Sequence, residues 1–247
     1  MRRAASWLCA LALAGCATAA HHGQQATTAD GVYHVTPVRP VEELLPAALA
    51  ATPPAESGEF RAPDLIELTS LDPTIRLDIR YASSRNLLGT PIYSQARAFL
   101  QRPAAEALVR VQRSLAAEGY GLLVHDAYRP WYVTRLFWDA VPPELHRFVA
   151  DPAQGSRHNR GCAVDLTLYE LKSGREVAMP SLYDETTERA YPTYTGGTPA
   201  QRAARDLLRR HMEAEGFTVY EFEWWHFDYR DWKSYRLQNV RFEDIGR

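Results

Sequence analysis

Residues 155–170 read GSRHNRGCAVDLTLYE. The first half is basic and polar, and from Ala163 onward the residues alternate. In a strand, Val164, Leu166 and Leu168 fall on one side and Asp165, Thr167 and Tyr169 on the other. Asp165 therefore faces away from the apolar set. His158, seven residues earlier, reaches it only through a turn, which Gly161 supplies without a side-chain penalty. An imidazole and a carboxylate then converge. The competing reading is a core histidine beside a solvated aspartate, and the rest of the chain decides between them.

A second stretch, EFEWWHFDY at 221–229, adds His226 among aromatic residues with Glu223 three positions before it. Catalytic zinc takes three protein ligands of histidine or carboxylate type and leaves one position open. His158, Asp165 and His226 fill that list, and Glu223 is a carboxylate able to take a proton from water without binding the metal. Residues three apart in a regular strand point to opposite faces, so the pairing requires a bulge or a strand end between Glu223 and His226. In HDAYRP, 125–130, Arg129 follows an apolar strand. It either stabilises an oxyanion at the metal or forms a salt bridge with Asp126 or another acid.

The surrounding texture is that of a folded domain from residue 63. LIELTSLDPTIRLDIRYAS (65–83) alternates like strands around a turn, and RNLLGTPIYSQARAFLQ (85–101) reads as loop. PAAEALVRVQRSLAAEG (103–119) reads as a helix with Ala104, Leu108, Val111 and Leu115 on one face and Gly119 as its stop. WYVTRLFWDAV (131–141) and PAQRAARDLLRRHMEAEG (199–216) are further helices, the latter turning Ala203, Leu207, Leu208 and Met212 inward with His211 at its surface. YGLLVHD and FTVYEFEWWHFDY read as strands. Links this short do not fit regular parallel crossovers, so the expected class is α+β with a small, mainly antiparallel sheet flanked by helices. Trp224 and Trp225 read as core and pocket wall, and Cys162 as a small buried thiol.

The N-terminal part reads differently. MRRAASWLCALALAGCATAA (1–20) has two arginines and then an apolar run too short to span a bilayer as a mature helix. Leu13-Ala14-Gly15-Cys16 resembles a bacterial lipobox, which implies cleavage after residue 15 and a lipid on Cys16; a plain signal peptide with a chance cysteine is the alternative. With residues 1–15 gone, 26 basic and 30 acidic residues remain. Of three cysteines only Cys162 is then left, so no intramolecular disulfide forms. Residues 16–62, rich in Ala, Thr, Pro and Glu, read as a flexible tether, with His21 and His22 solvated in it. The domains expected are thus 1–15, 16–62 and 63–247. A net charge of -2 with no basic stripe removes nucleic acid as a partner.

SRHNRGCAVDLTLYE matches the pattern Ser-x-His-x-x-Gly-x-Ala-x-Asp through Ser156, His158, Gly161, Ala163 and Asp165. In this it resembles the VanX-type zinc DD-peptidase family of D-alanyl-D-alanine dipeptidases. EWWHF resembles the family's Glu-x-x-His motif and DAYRP the segment with its active-site arginine; LDIRYAS and SGREVAMPSLYDE extend the likeness over about residues 64–232. The resemblance implies a hedgehog-like DD-peptidase fold and one zinc ion on His158, Asp165 and His226. It implies Glu223 as general base and acid, Arg129 on the carbonyl, and Tyr81, Ser156 and Asp184 as substrate contacts. Asp184 has a physical rationale: a buried carboxylate recognises a free ammonium near the scissile bond.

The activity implied is hydrolysis of D-Ala-D-Ala. A DD-carboxypeptidase or endopeptidase trimming stem peptides is the alternative within the family, and a wall-binding lipoprotein without turnover the alternative outside it. The expected setting is the periplasmic side, held to a membrane by the lipid and scavenging dipeptide from wall turnover, with no protein partner. Ala17, rather than an aspartate, after the cysteine resembles the enterobacterial sorting pattern, which implies the outer membrane where the host has one.

Overall fold

The alternating run at the centre of the motif forms a strand, Ala163–Glu170, at the middle of a five-stranded sheet. The computed structural model describes residues 31–246 and the backbone of Ala26–Thr27. The expected leader, Cys16, His21 and His22 lie outside the described residues.

In chain order the elements are β1 (Ala26–Thr27), β2 (Tyr33–His34), α1 (Val41–Ala50), β3 (Leu65–Glu67), α2 (Leu68–Leu71) and β4 (Arg76–Leu77). Then come β5 (Phe99–Gln101), α3 (Arg102–Ala116), β6 (Tyr120–Asp126), α4 (Trp131–Ala140), β7 (Ala163–Glu170), α5 (Pro199–Ala214), β8 (Phe217–Tyr220) and β9 (Glu223–Tyr229). The main sheet has the order β4-β6-β7-β9-β8; β4 runs parallel to β6 and every other pairing is antiparallel. β1 pairs with β2, and β3 with β5, as separate ribbons. The α+β expectation therefore matches the architecture.

β7 is buried on both faces, so its polar side is not a solvent side. Val164, Leu166 and Leu168 join the apolar core, while Asp165 and Thr167 are enclosed on the other face. Helix α3 packs its Ala104, Leu108, Val111 and Leu115 face against β6 and α5. A threonine capping box at Thr198 and Gln201, with Pro199 next, starts α5. Leu207, Leu208 and Met212 of α5 turn inward as expected, but Ala203 is exposed: the buried position of that turn is taken by Arg205, whose guanidinium reaches the Tyr194 carbonyl. His211 bridges Ser114 of α3 and Glu118 at 2.7 and 2.8 Å, at the boundary between α3 and α5.

The expected tether does not extend over residues 31–62. Val32, Tyr33 and Val35 are buried, and α1 packs Val41, Leu44 and Ala48 into the core along α4. Past α1, Glu56 binds Arg160 at 2.6 Å and the backbone N–H of Leu237 at 2.7 Å. The Ala/Pro/Glu-rich composition concealed a short amphipathic period whose larger apolar side chains, Val41, Leu44, Leu45 and Leu49, lie against the core while Pro46, Ala47 and Ala50 are exposed.

Two irregularities in the main sheet decide where the site forms. Between β6 and β7, Val124 faces Leu166 but Asp126 faces Asp165, which leaves His125 as an extra residue on β6. Between β8 and β9, Val219 faces Phe227 but Tyr220 faces Glu223, so Trp224, Trp225 and His226 have no opposite residue on β8. This is the break required between Glu223 and His226.

Candidate active site

Asp165 sits between two strands at the point where both ladders break: its cross-strand neighbours are Asp126 on β6 and His226 on β9. His158 arrives from a single 3-10 turn, His158–Arg160, closed by Gly161 at φ 70°. The positive φ favours glycine there, and a Cβ at Gly161 would also stand 2.6 Å from Leu65 Cδ2, which would have to move. Asn159 fixes the turn: its amide donates to the Arg129 carbonyl at 2.8 Å and its oxygen accepts the Ser156 N–H at 2.7 Å.

His158 Nε2, Asp165 Oδ1 and His226 Nδ1 form a triangle with sides of 3.1, 3.1 and 3.3 Å. The outer nitrogens set the tautomers. His158 Nδ1–H donates to the Ala127 carbonyl at 2.7 Å, and His226 Nε2–H donates to Asp228 Oδ1 at 3.0 Å. In each neutral ring the inner nitrogen then carries a lone pair. Two imidazole lone pairs and a carboxylate oxygen face one another, and Asp165 Oδ1 has no hydrogen-bond partner despite its near neighbours. Such a cluster suits a cation. Tetrahedral zinc with bonds of about 2.0–2.1 Å separates its ligand atoms by roughly 3.3–3.4 Å, close to the triangle seen. Among the described residues these three form the group able to hold a metal ion.

Glu223 Oε2 lies 3.6 Å from His226 Nδ1. Burial pushes its carboxyl up to about 7. Arg129 is buried and held by Asp126, whose Oδ2 accepts from Nε at 2.9 Å and Nη2 at 2.8 Å; Nη2 stands 3.8 Å from Asp165 Oδ2. The salt-bridge reading of Arg129 holds, and the bridge places the guanidinium beside Asp165.

All eight residues singled out from the sequence line one cavity of about 370 Å³, within the range of small-molecule sites. Asp184 is half-buried there, and Tyr81 donates to its two carboxylate oxygens at 3.1 and 3.0 Å. Burial, and then the charges of Asp165 and Glu223, push its carboxyl well above the ordinary range. Ser156 lines the wall beside His158 and its Oγ accepts the His158 N–H at 3.2 Å. Trp224 and Trp225 are buried edge to face at 5.4 Å, but neither lines this cavity. Cys162 is buried, and burial drives its thiol upward, away from thiolate chemistry.

Sequence reading missed Asp228, Asn159 and Tyr183. Asp228 had a signal: two residues after His226 on a strand, it must share that face. Asn159 and Tyr183 had none, because their partners Arg129 and Asp165 lie 30 and 18 residues away.

A family profile described as peptidase M15, D-ala-D-ala dipeptidase, matches residues 61–244. D-alanyl-D-alanine dipeptidase of Escherichia coli K12 is 34% identical over 174 residues, covering 70% of this chain and 89% of that protein. The protein of the same name from Enterococcus faecalis is 37% identical over 174 residues, covering 62% and 85%. A third from Enterococcus faecium is 35% identical over 178 residues, covering 64% and 87%.

Proposed function

The chain belongs to the peptidase M15 family of D-Ala-D-Ala dipeptidases, and on that premise we propose that it hydrolyses free D-Ala-D-Ala with one zinc ion during cell-wall turnover. The observation that carries this reading is the triangle of His158, Asp165 and His226 with Glu223 beside it, inside one cavity.

His158, Asp165 and His226 would hold the ion. Zinc bound there supplies a Lewis acid that polarises the peptide carbonyl and lets water attack at neutral pH. The donor set would also accept cobalt or nickel. Glu223 takes the proton of the attacking water and returns it to the departing amine; a carboxyl near pH 7 suits both transfers. Arg129, fixed by Asp126, puts positive charge where the carbonyl oxygen becomes negative. Asp184 receives the substrate ammonium, which supplies the counter-charge its half-buried carboxylate lacks. An acylated nitrogen brings no charge and leaves that carboxylate unpaired, so the site selects a free dipeptide over a stem peptide.

Lipid attachment at Cys16, supported by the Leu13-Ala14-Gly15-Cys16 run, would hold the domain on the periplasmic side, with Ala17 favouring the outer membrane. Transfer of a Cys16→Ser variant from the membrane to the soluble fraction tests this; continued membrane retention overturns it.

The activity is tested by D-alanine release from D-Ala-D-Ala and, separately, from a stem pentapeptide ending in D-Ala-D-Ala, with zinc loaded and a Glu223→Ala control. Release from the dipeptide alone, absent in the control, is the expected result. Release from the pentapeptide moves the protein to wall trimming. Zinc binding with no release from either substrate leaves a binding protein.

A further inference from the structure

The two oxygens of Asp165 have different tasks. Oδ1 faces His158 Nε2 and His226 Nδ1, at 3.3 and 3.1 Å. Oδ2 accepts the hydroxyl of Tyr183 at 2.9 Å, with Arg129 Nη2 farther off at 3.8 Å. The hydrogen bonds continue beyond Tyr183. Its hydroxyl is 3.3 Å from that of Tyr81, and Tyr81 donates to Asp184. Each phenol has a single proton to give. The Tyr81 proton goes to Asp184. The Tyr183 proton goes chiefly to the nearer, charged acceptor, Asp165 Oδ2, and is shared more weakly with the Tyr81 oxygen, which accepts it at 3.3 Å.

Local backbone geometry makes this chain possible. Side chains of consecutive residues in an extended segment point apart. Asp184 has φ 61°, a region few non-glycine residues occupy, and Tyr183 and Asp184 thereby both meet the Tyr81 hydroxyl. The Tyr183 ring is held between His125 at 4.9 Å and Trp225 at 5.5 Å, so its hydroxyl has little freedom to leave Asp165.

We propose that Tyr183 is a positioning residue: it occupies Asp165 Oδ2, leaves Oδ1 alone for the cation, and joins the metal triangle to the Tyr81–Asp184 amine clamp as one hydrogen-bonded unit. Calling Tyr81–Asp184 an amine clamp rests on the dipeptidase reading; the effect on the cation does not. Without the hydroxyl, Oδ2 is free to turn toward the ion or toward Arg129, and the ligand loses its fixed orientation. Outer partners of metal ligands typically change affinity 10–100-fold.

The test is Tyr183→Phe, which keeps the ring and removes the hydroxyl. Zinc affinity is measured by competition with a chelating indicator, and the visible spectrum of the cobalt-loaded protein reports coordination number. The expected result is zinc binding weaker by about 10–100-fold with an altered cobalt spectrum and an unchanged melting temperature of the metal-free protein. Tyr81→Phe, one link further along, is expected to weaken zinc by a smaller factor. Zinc affinity within about twofold of wild type in Tyr183→Phe overturns the proposal. Should that variant fail to fold, wild-type zinc affinity in Tyr81→Phe overturns it. If the wild type binds zinc but leaves D-Ala-D-Ala intact, the dipeptidase reading fails, and the affinities still decide the role of Tyr183.

Discussion

Asp165 and His226 are direct cross-strand partners on β7 and β9, with Oδ1 and Nδ1 3.1 Å apart. They lie 61 residues apart in sequence, and the last regular rung of the β7–β9 ladder brings them together. On the other side of β7 the same aspartate faces Asp126, which holds Arg129. The site is built where regular pairing stops, because a bulged strand can aim side chains that a regular one would alternate away.

Glu223→Gln keeps the size of the side chain and removes its basicity. We expect zinc to remain bound and kcat to fall about 10²–10⁴-fold. In the wild type the ionised carboxylate is the active form, so activity is lost as pH falls through its pKa. That value is about 7 before a cation binds, and a bound cation lowers it. The acid limb of kcat/KM is therefore expected at or below about pH 7 and absent from Glu223→Gln. A limb well above that pH in a rate profile would assign the base elsewhere.

Arg129→Ala is expected to affect both rate and stability. Loss of a charge aimed at the oxyanion costs about 10²–10³ in kcat. It also leaves Asp126 buried without its cation, since Arg129 and Asp126 side chains are 10% and 1% exposed. Breaking such a pair costs about 3–5 kcal/mol. Urea unfolding of Arg129→Ala and of Arg129→Ala with Asp126→Asn separates the two effects: the double variant should recover part of the stability and none of the rate.

His125, the extra residue in β6, is fully buried, and burial followed by the charge of Arg80 pushes its pKa down to about 3. The folded value lies below the unfolded one, about 6.5. The neutral ring's contribution is thus complete above pH 6.5 and declines as pH falls toward 3, by at most about 1.4 kcal/mol per pH unit. Urea midpoints from pH 7 to 4 should fall more steeply in the wild type than in His125→Phe. Parallel curves would mean that His125 accepts a proton without cost.

A chain beginning at residue 63 is expected to be less stable than one beginning at residue 31. It loses the buried Val32, Tyr33, Val35, Val41 and Leu44, each worth up to about 1.5–3 kcal/mol. It also loses the 2.6 Å bond from Tyr33 to Thr186, two residues beyond Asp184. A melting temperature at least about 5 °C lower, with a raised KM for D-Ala-D-Ala, is the expected outcome. Equal stability would return residues 31–62 to the role of a tether.

The sequence alone singled out His158, Asp165, His226, Glu223 and Arg129, which the fold brings to one cavity, because each stands in a short motif whose chemistry is local: a turn at Gly161 and residue types able to hold a metal ion. It determined the main helices for the same reason, since apolar periodicity is a property of neighbouring residues. It also required the break between Glu223 and His226, by the incompatibility of a three-residue spacing with one strand face. Only the tertiary structure decided what surrounds those groups. The partners of Asp165, His226 and Arg129 come from other strands and loops, and nothing in the separation between Asp165 and Tyr183 marks them as a pair. The packing of residues 31–62 was hidden likewise: the few apolar side chains of α1 acquire meaning only against α4, which begins some 80 residues after α1 ends. Short-range order is written in the chain; the second layer of a site depends on which distant segments the core brings together.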